Sequence, residues 1–382
     1  MRAVNRPIIL ELIRCHQPIT RADLARITGF FRSSVSDIVD ELIADDLVIE
    51  ERAVPTKRGR VPMSLGLNDA TYRVLGLNIR PRQCQLAYAG LSGTIQQTWT
   101  FPTPGSSKKL VQSIGKAITN AREALGMSRS EKFERLGIAI PGHVDVATGC
   151  ILWTPTHPEL SNFPIADEIT KELGIPATAD NDCNVGALSE LWLTKKERVS
   201  CPSEFVFLNV SDFGTGAGAV IHGEVYLGHD AHFAAEVGHM IIKPGGDACR
   251  CGRNGCWERY VSNFATWARY KKRTPYDAEL FELMLDGARN GDNRARQAIL
   301  ETAHYLGLGL SNLIFFFNPS EVVLAGRIAK VWDLIEDDVR HAFSSPQLHY
   351  SIRPAKCSAD DSLLHGAVCL ALRGLFTAPK FG

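Results

Sequence analysis

The sequence predicts an α/β protein with a helical module at its N-terminus: a winged helix-turn-helix over residues 1–68, then two α/β lobes. Three observations carry this. The first 68 residues show two apolar stripes at helical spacing, with a capped helix start between them, followed by two short strand patterns. Beyond Asn68, strands alternate with helices. And a chain of 382 residues, 45% apolar, exceeds one ordinary core and is too apolar for a disordered segment.

Within the module, Ile8, Ile9, Leu12 and Ile13 mark a first helix over 7–14. Thr20 with Asp23 three residues on signals the cap of a second, which Gly29 stops. Val35, Ile38, Val39, Leu42 and Ile43 place one stripe on a third helix. Segments 47–51 and 63–67 read as strands around the turn-prone basic run 55–62. In a winged helix-turn-helix the early exposed residues of the third helix enter the major groove; here these are Arg32, Ser33, Ser34 and Ser36, with Asp37 beside them. Arg58 and Arg60, separated by a glycine, suit a narrow minor groove. The alternative is a protein-interaction module, since residues 1–68 hold ten Arg/Lys against nine Asp/Glu. The purely basic wing favours double-stranded DNA. Over the whole chain the formal net charge is zero, which excludes a global nucleic-acid footprint and makes any DNA site local.

In the remainder, strands are expected over 72–79, 83–89, 94–100, 136–140, 177–179, 205–210, 217–221, 224–227 and 321–324. Helices are expected over 108–125, 165–173, 185–193 and 295–316. Two such lobes build a cleft. No run of about eighteen uninterrupted apolar residues occurs, and the first residues lack a signal-peptide pattern, so the expected address is the cytoplasm.

Three of the ten cysteines crowd into Cys249-Arg-Cys251-Gly-Arg-Asn-Gly-Cys256, with His239 ten residues upstream. In a reducing compartment that spacing points to one structural zinc, closed by four nitrogen and sulfur ligands; three reduced cysteines in a turn are the plain alternative. Asn181-Asp182, after a strand and before a helix, could meet sugar hydroxyls or simply cap the helix. The glycine-dense run 212–218 fits a phosphate loop and a tight hairpin equally.

Taken together, Pro141-Gly142, Asn181-Asp182, Gly214-Thr215-Gly216, Glu236-Val-Gly-His239 and the cysteine run ending at Glu258 resemble the ROK family of repressors and sugar kinases. With a winged helix in front, the likeness is to the regulators, which include repressors of xylose and N-acetylglucosamine use. The resemblance implies an actin-like, sugar kinase/ribonuclease H-like two-lobed fold. It implies sugar binding by Gly142, His143, Asn181, Asp182, Glu236, His239 and Glu258, with zinc on His239, Cys249, Cys251 and Cys256. It further implies a homodimer or homotetramer answering a sugar effector at a DNA operator. Kinase members open their first lobe with an Asp-x-Gly-x-Thr phosphate loop; the equivalent turn here, Asn78-Ile-Arg-Pro81-Arg, lacks acid, glycine and threonine. The expected function is therefore a non-enzymatic repressor of carbohydrate genes. A sugar kinase using Asp182 as base, with an added DNA-binding domain, is the alternative. The expected domains are 1–68, then 69–192 completed by a C-terminal helix 361–382, then 193–360 with the zinc loop and the oligomer interface.

Overall fold

The computed structural model describes residues 2–52, 63–128, 130–197, 203–229, 235–271, 274–342 and 350–376. The chain divides into two compact units, residues 1–200 with 363–382, and residues 201–362.

Unit 1 opens with helices α1 (Arg2–His16), α2 (Arg21–Thr28) and α3 (Arg32–Ala44), followed by strands β1 (Val48–Arg52) and β2 (Met63–Leu67), which pair antiparallel. Thr20 Oγ1 accepts the Asp23 N–H at 3.1 Å, and Gly29 closes α2 in the left-handed conformation. Val35, Ile38, Val39 and Leu42 are buried, so the stripe read from the sequence is the packed face of α3. Arg21 ties the module together, pairing Asp40 of α3 at 2.7 Å and Glu50 of β1 at 2.9 Å. The first helix starts five residues earlier than expected, with Pro7 inside it. Pro7, the sixth residue of this helix, has no N–H to give the carbonyl four residues before it, so one backbone bond of the first turns is missing.

The lobe that follows holds β3 (Val74–Ile79), β4 (Gln83–Ala89), β5 (Ile95–Pro102), α4 (Ser107–Ala124), β6 (Arg135–Ile140), β7 (His143–Asp145), β8 (Cys150–Trp153), α5 (Ile165–Leu173), β9 (Ala177–Asn181) and α6 (Asp182–Glu197). Its sheet has the order β5-β4-β3-β6-β9, antiparallel across the first three strands and parallel from β3 to β9. β3 is buried at every position, as a central strand covered on both faces must be.

Unit 2 comprises β10 (Phe205–Val210), β11 (Thr215–Ile221), β12 (Glu224–Val225), α7 (Glu258–Val261), α8 (Asn263–Tyr270), α9 (Ala278–Arg289), α10 (Asn293–Phe317), β13 (Glu321–Gly326), α11 (Trp332–His341) and β14 (Ser351–Pro354). Its sheet, β12-β11-β10-β13-β14, repeats the first sheet's pattern: two antiparallel pairings, then two parallel ones. The last helix, α12 (Ala359–Phe376), returns to unit 1.

α10 is long and apolar enough to cross a membrane, but half of its apolar window is buried, and Ile299, Leu306, Leu310 and Leu313 belong to the core of unit 2. Its glycines serve close packing. A Cβ on Gly309 would stand 1.9 Å from the Trp257 ring, and the Trp257 indole N–H donates to the Tyr305 carbonyl at 2.8 Å. Leu306, Gly307, Gly309 and Leu310 are all buried. Phe315 and Phe316, at the helix end, are exposed.

Candidate functional site

The residues that the sequence singles out fall into three groups. The first is the exposed start of α3: Arg32, Ser33 and Ser34 are exposed and Ser36 is half-buried. Phe31 occupies the N-cap without a side-chain bond and is 83% exposed, leaving this helix end open toward a partner. Arg58 and Arg60 lie outside the described residues.

The second group sits on unit 1, at the carboxyl ends of adjacent parallel strands. β6 runs into Pro141-Gly142-His143, and β9 ends at Asn181, where α6 begins with Asp182. Asn181 Oδ1 accepts the N–H groups of Cys183 at 2.8 Å and Asn184 at 3.3 Å, while its Nδ2 donates to the Gly142 carbonyl at 2.8 Å. Capping is therefore part of what Asn181 does, and the same side chain welds the β6–β7 turn to the start of α6. Asp180, fully buried beneath, accepts the Asn181 N–H at 2.7 Å and Asn184 Nδ2 at 2.9 Å. Burial raises its carboxyl to about 6 despite these donors.

The third group sits on unit 2. His239, Cys249, Cys251 and Cys256 bring their ligand atoms within 4.8 Å of one another, so this cluster could hold a metal ion. His239 Nδ1 faces Cys249 Sγ at 3.7 Å, and its Nε2 faces Glu236 at 4.0 Å. The imidazole is thereby split between the sulfur cluster and a carboxylate. Glu258 Oε1 accepts from the Cys249 thiol at 3.0 Å, and Glu258 Oε2 lies 3.3 Å from where a Cβ on Gly214 would stand. A Cβ on Gly238 would fall 1.9 Å from the Thr215 carbonyl, so the Glu236–His239 turn is seated directly on the glycine loop. Glu236, His239 and Glu258 are thus one cluster around the cysteine loop, while Gly142, His143, Asn181 and Asp182 form the separate group of unit 1.

The glycine loop itself is closed inward. Ser211 N–H donates to the Gly214 carbonyl at 3.0 Å, and the Gly214 N–H donates to Ser211 Oγ at 3.2 Å. Asp212 accepts from Asn263 at 2.9 Å and Tyr276 at 2.6 Å and pairs with Arg327 at 3.4 Å.

One buried contact was not visible in the sequence. Arg14 of α1 is 2% exposed, with its guanidinium 4.0 Å above the Trp192 ring of α6. It binds Glu11 at 2.7 and 3.0 Å and the Trp192 carbonyl at 3.4 Å. Behind it, Ser189 Oγ and His365 Nδ1 are 2.8 Å apart, and burial together with Arg14 lowers the His365 imidazole to about 4. The helix that starts at Asp182 therefore carries, three turns on, the anchor of the N-terminal module.

The sequence profile of the ROK family matches residues 74–373. A xylose repressor from Caldicellulosiruptor bescii is 25% identical over 100% of this chain and 98% of its own length. Among solved structures, a ROK family transcriptional regulator, a homologue of the Escherichia coli MLC protein, covers 98% of this chain and 96% of its own with a TM-score of 0.82 at 23% identity, and so shares the fold. A ROK family glucokinase from Streptomyces griseus, solved with glucose and AMPPNP, is 26% identical with a TM-score of 0.67, but its whole length covers only 79% of this chain. The repressor and the regulator span both the N-terminal module and the lobes, whereas the kinase leaves about a fifth of the chain unmatched; this chain belongs to the ROK family, among its transcriptional repressors.

Proposed function

We propose that this chain is a cytoplasmic, sugar-responsive repressor of carbohydrate-metabolism genes that binds a double-stranded DNA operator as a homodimer or homotetramer and catalyses no reaction. The observation that carries the reading is the Arg14–Trp192 contact. It joins the module bearing Arg32, Ser33, Ser34 and Ser36 to α6, whose first residue, Asp182, is a proposed sugar ligand. A sugar that favours one setting of α6 then biases the DNA module through a rigid helix. In this reading Gly142, His143, Asn181 and Asp182 of unit 1 and Glu236, His239 and Glu258 of unit 2 bind the sugar, matching amides and carboxylates to hydroxyl donors and acceptors. A module with net charge near +1 gains little from counterion release alone, which favours two copies reading half-sites about one helical turn apart.

His239, Cys249, Cys251 and Cys256 fit one structural Zn2+: one nitrogen and three sulfurs, clustered, with two of the cysteines buried. Bound there, zinc would cross-link the loop and leave no open coordination position. The chain's own part is to hold Nδ1 of His239 toward the sulfurs and Nε2 toward Glu236, which sets the imidazole's orientation at the proposed sugar site.

Against phosphoryl transfer stand both nucleotide loops. The hairpin turn at 80–82 contains Pro81, which has no N–H to offer a phosphate, and Gly214 N–H is engaged by Ser211. Two assays test the reading. Operator binding should change on adding one member of a panel of pentoses, hexoses and N-acetylhexosamines, and no panel member should be phosphorylated by ATP. Operator binding indifferent to every sugar, or ATP-dependent turnover, would overturn it.

A further inference from the structure

The proposed ligands, all amides, carboxylates and imidazoles, satisfy the hydroxyl rim of a sugar and leave its C–H faces without a partner. Unit 1 supplies one. Trp153 ends β8 with 47% of its surface exposed, although Thr154 next to it is fully buried. The β7–β8 register sets Trp153 opposite His143, which sends both side chains from the same face of the ribbon. Their rings stand 5.3 Å apart, tilted by 41°.

The indole's base is held firmly. Gly142 adopts φ +127°, and a Cβ there would stand 2.3 Å from the Trp153 carbonyl, so the backbone of Trp153 lies against Gly142 with no room for a side chain between. Gly142 in turn accepts the Asn181 amide at 2.8 Å, and Thr154 and Thr156 share a hydroxyl hydrogen bond at 3.1 Å. A continuous set of contacts therefore ties Trp153 to the turn that begins α6. A large half-exposed aromatic ring, seated on polar groups already proposed as sugar ligands, has the form of a binding platform, apolar on its face and hydrogen-bonding at its rim.

We propose that Trp153, with His143 beside it, stacks on the C–H face of the effector and sets which sugars are accepted; this rests on the sugar reading above. The ligand class is a pyranose with an unbroken patch of axial C–H bonds on one face. An epimer carrying an axial hydroxyl on that face presses an unpaired polar group against the ring and is rejected.

Isothermal titration of the full chain against the sugar panel, comparing wild type with Trp153→Ala and Trp153→Phe, tests this. The Ala variant should bind the preferred sugar about tenfold more weakly, about 1.4 kcal/mol. It should also discriminate less between that sugar and its axial epimer, while melting temperature and operator binding without sugar stay at wild-type levels. The Phe variant should recover most of the affinity. An Ala variant binding within about twofold of wild type, or a loss that Phe does not restore, overturns the platform while leaving the sugar reading intact. Wild-type protein that binds no sugar overturns both.

Discussion

Replacing Arg14 with methionine should leave a repressor that binds operator and sugar but no longer connects them. The guanidinium lies 4.0 Å from the Trp192 ring centre and 5.9 Å from that of Phe376, out of solvent, where a cation–π contact contributes about 2 kcal/mol. Losing one member of a buried ion pair costs about 3–5 kcal/mol. Glu11 keeps 19% side-chain exposure, which moves the cost to the lower end, and methionine preserves the stem's apolar packing. A net loss of about 2–3 kcal/mol at this contact equals the whole of a typical coupling free energy of about 1–3 kcal/mol. The residues of α3 proposed to meet the groove are untouched, so operator affinity without sugar should stay within about threefold of wild type, while the sugar-induced change shrinks at least about fivefold. Fluorescence anisotropy of labelled operator, at one fixed salt concentration with and without sugar, measures both. A second readout is the imidazole of His365: Arg14 helps hold it near 4, so its titration, followed by NMR, should move upward in Arg14→Met. A folded Arg14→Met protein that binds sugar and answers it as wild type does would refute the argument.

Cys251→Ala should lose zinc by elemental analysis and lose its sugar response before it loses its fold, since Cys251 is itself exposed and stands outside the core of unit 2; a metal-free wild type purified without chelator would sink this. For Asp180, raised from 3.8 to about 6, the folded state holds its proton more tightly than the unfolded one, so its contribution to stability is present at low pH and is lost as pH rises from about 4 to about 6. Asp180→Asn should therefore gain up to about 3 kcal/mol relative to wild type above pH 6 and little near pH 4, read from urea midpoints; a pH-independent difference would contradict it. Arg58→Ala and Arg60→Ala should weaken operator binding most at A·T-rich half-sites, as judged by footprinting and titration, whereas a uniform loss across sequences would mean plain phosphate contacts.

What could be read from the sequence follows the range over which each feature is determined. The α3 stripe and the capping of α2 by Thr20 are set within a few residues, and periodicity or capping chemistry reveals them. The cysteine cluster is also nearly local, three of its four ligands lying within eight residues, so spacing exposes it. The helix expected over 185–193 begins earlier, at Asp182, because Asn181 caps it, a role the sequence leaves open alongside ligand binding. β7 and β8, three and four residues long, are too short for any period to register, so the local pattern gives Trp153 no signal. Arg14 and Trp192 are 178 residues apart, and each looks ordinary where it stands: one a charged residue near a helix end, the other an apolar residue on a helix.

The turn at 80–82 lies between these extremes. Locally, Arg80-Pro81-Arg82 is only a turn, and its reading as a degenerate nucleotide loop depends on knowing what it corresponds to. The repeated sheet pattern supplies that correspondence. In each sheet the first two strands form an antiparallel hairpin and the first strand pairs parallel with a later one, so the β3–β4 turn stands to its sheet as the β10–β11 turn, with Ser211 and Gly214, stands to the other. The β3–β4 turn holds Pro81 and no glycine; the β10–β11 turn holds Gly214, whose N–H donates inward to Ser211. Asp182, by contrast, remains at the head of α6. In the proposed reading, a first turn unsuited to phosphate stands beside a full set of candidate sugar ligands, the combination expected of a sensor that reads its ligand without transforming it.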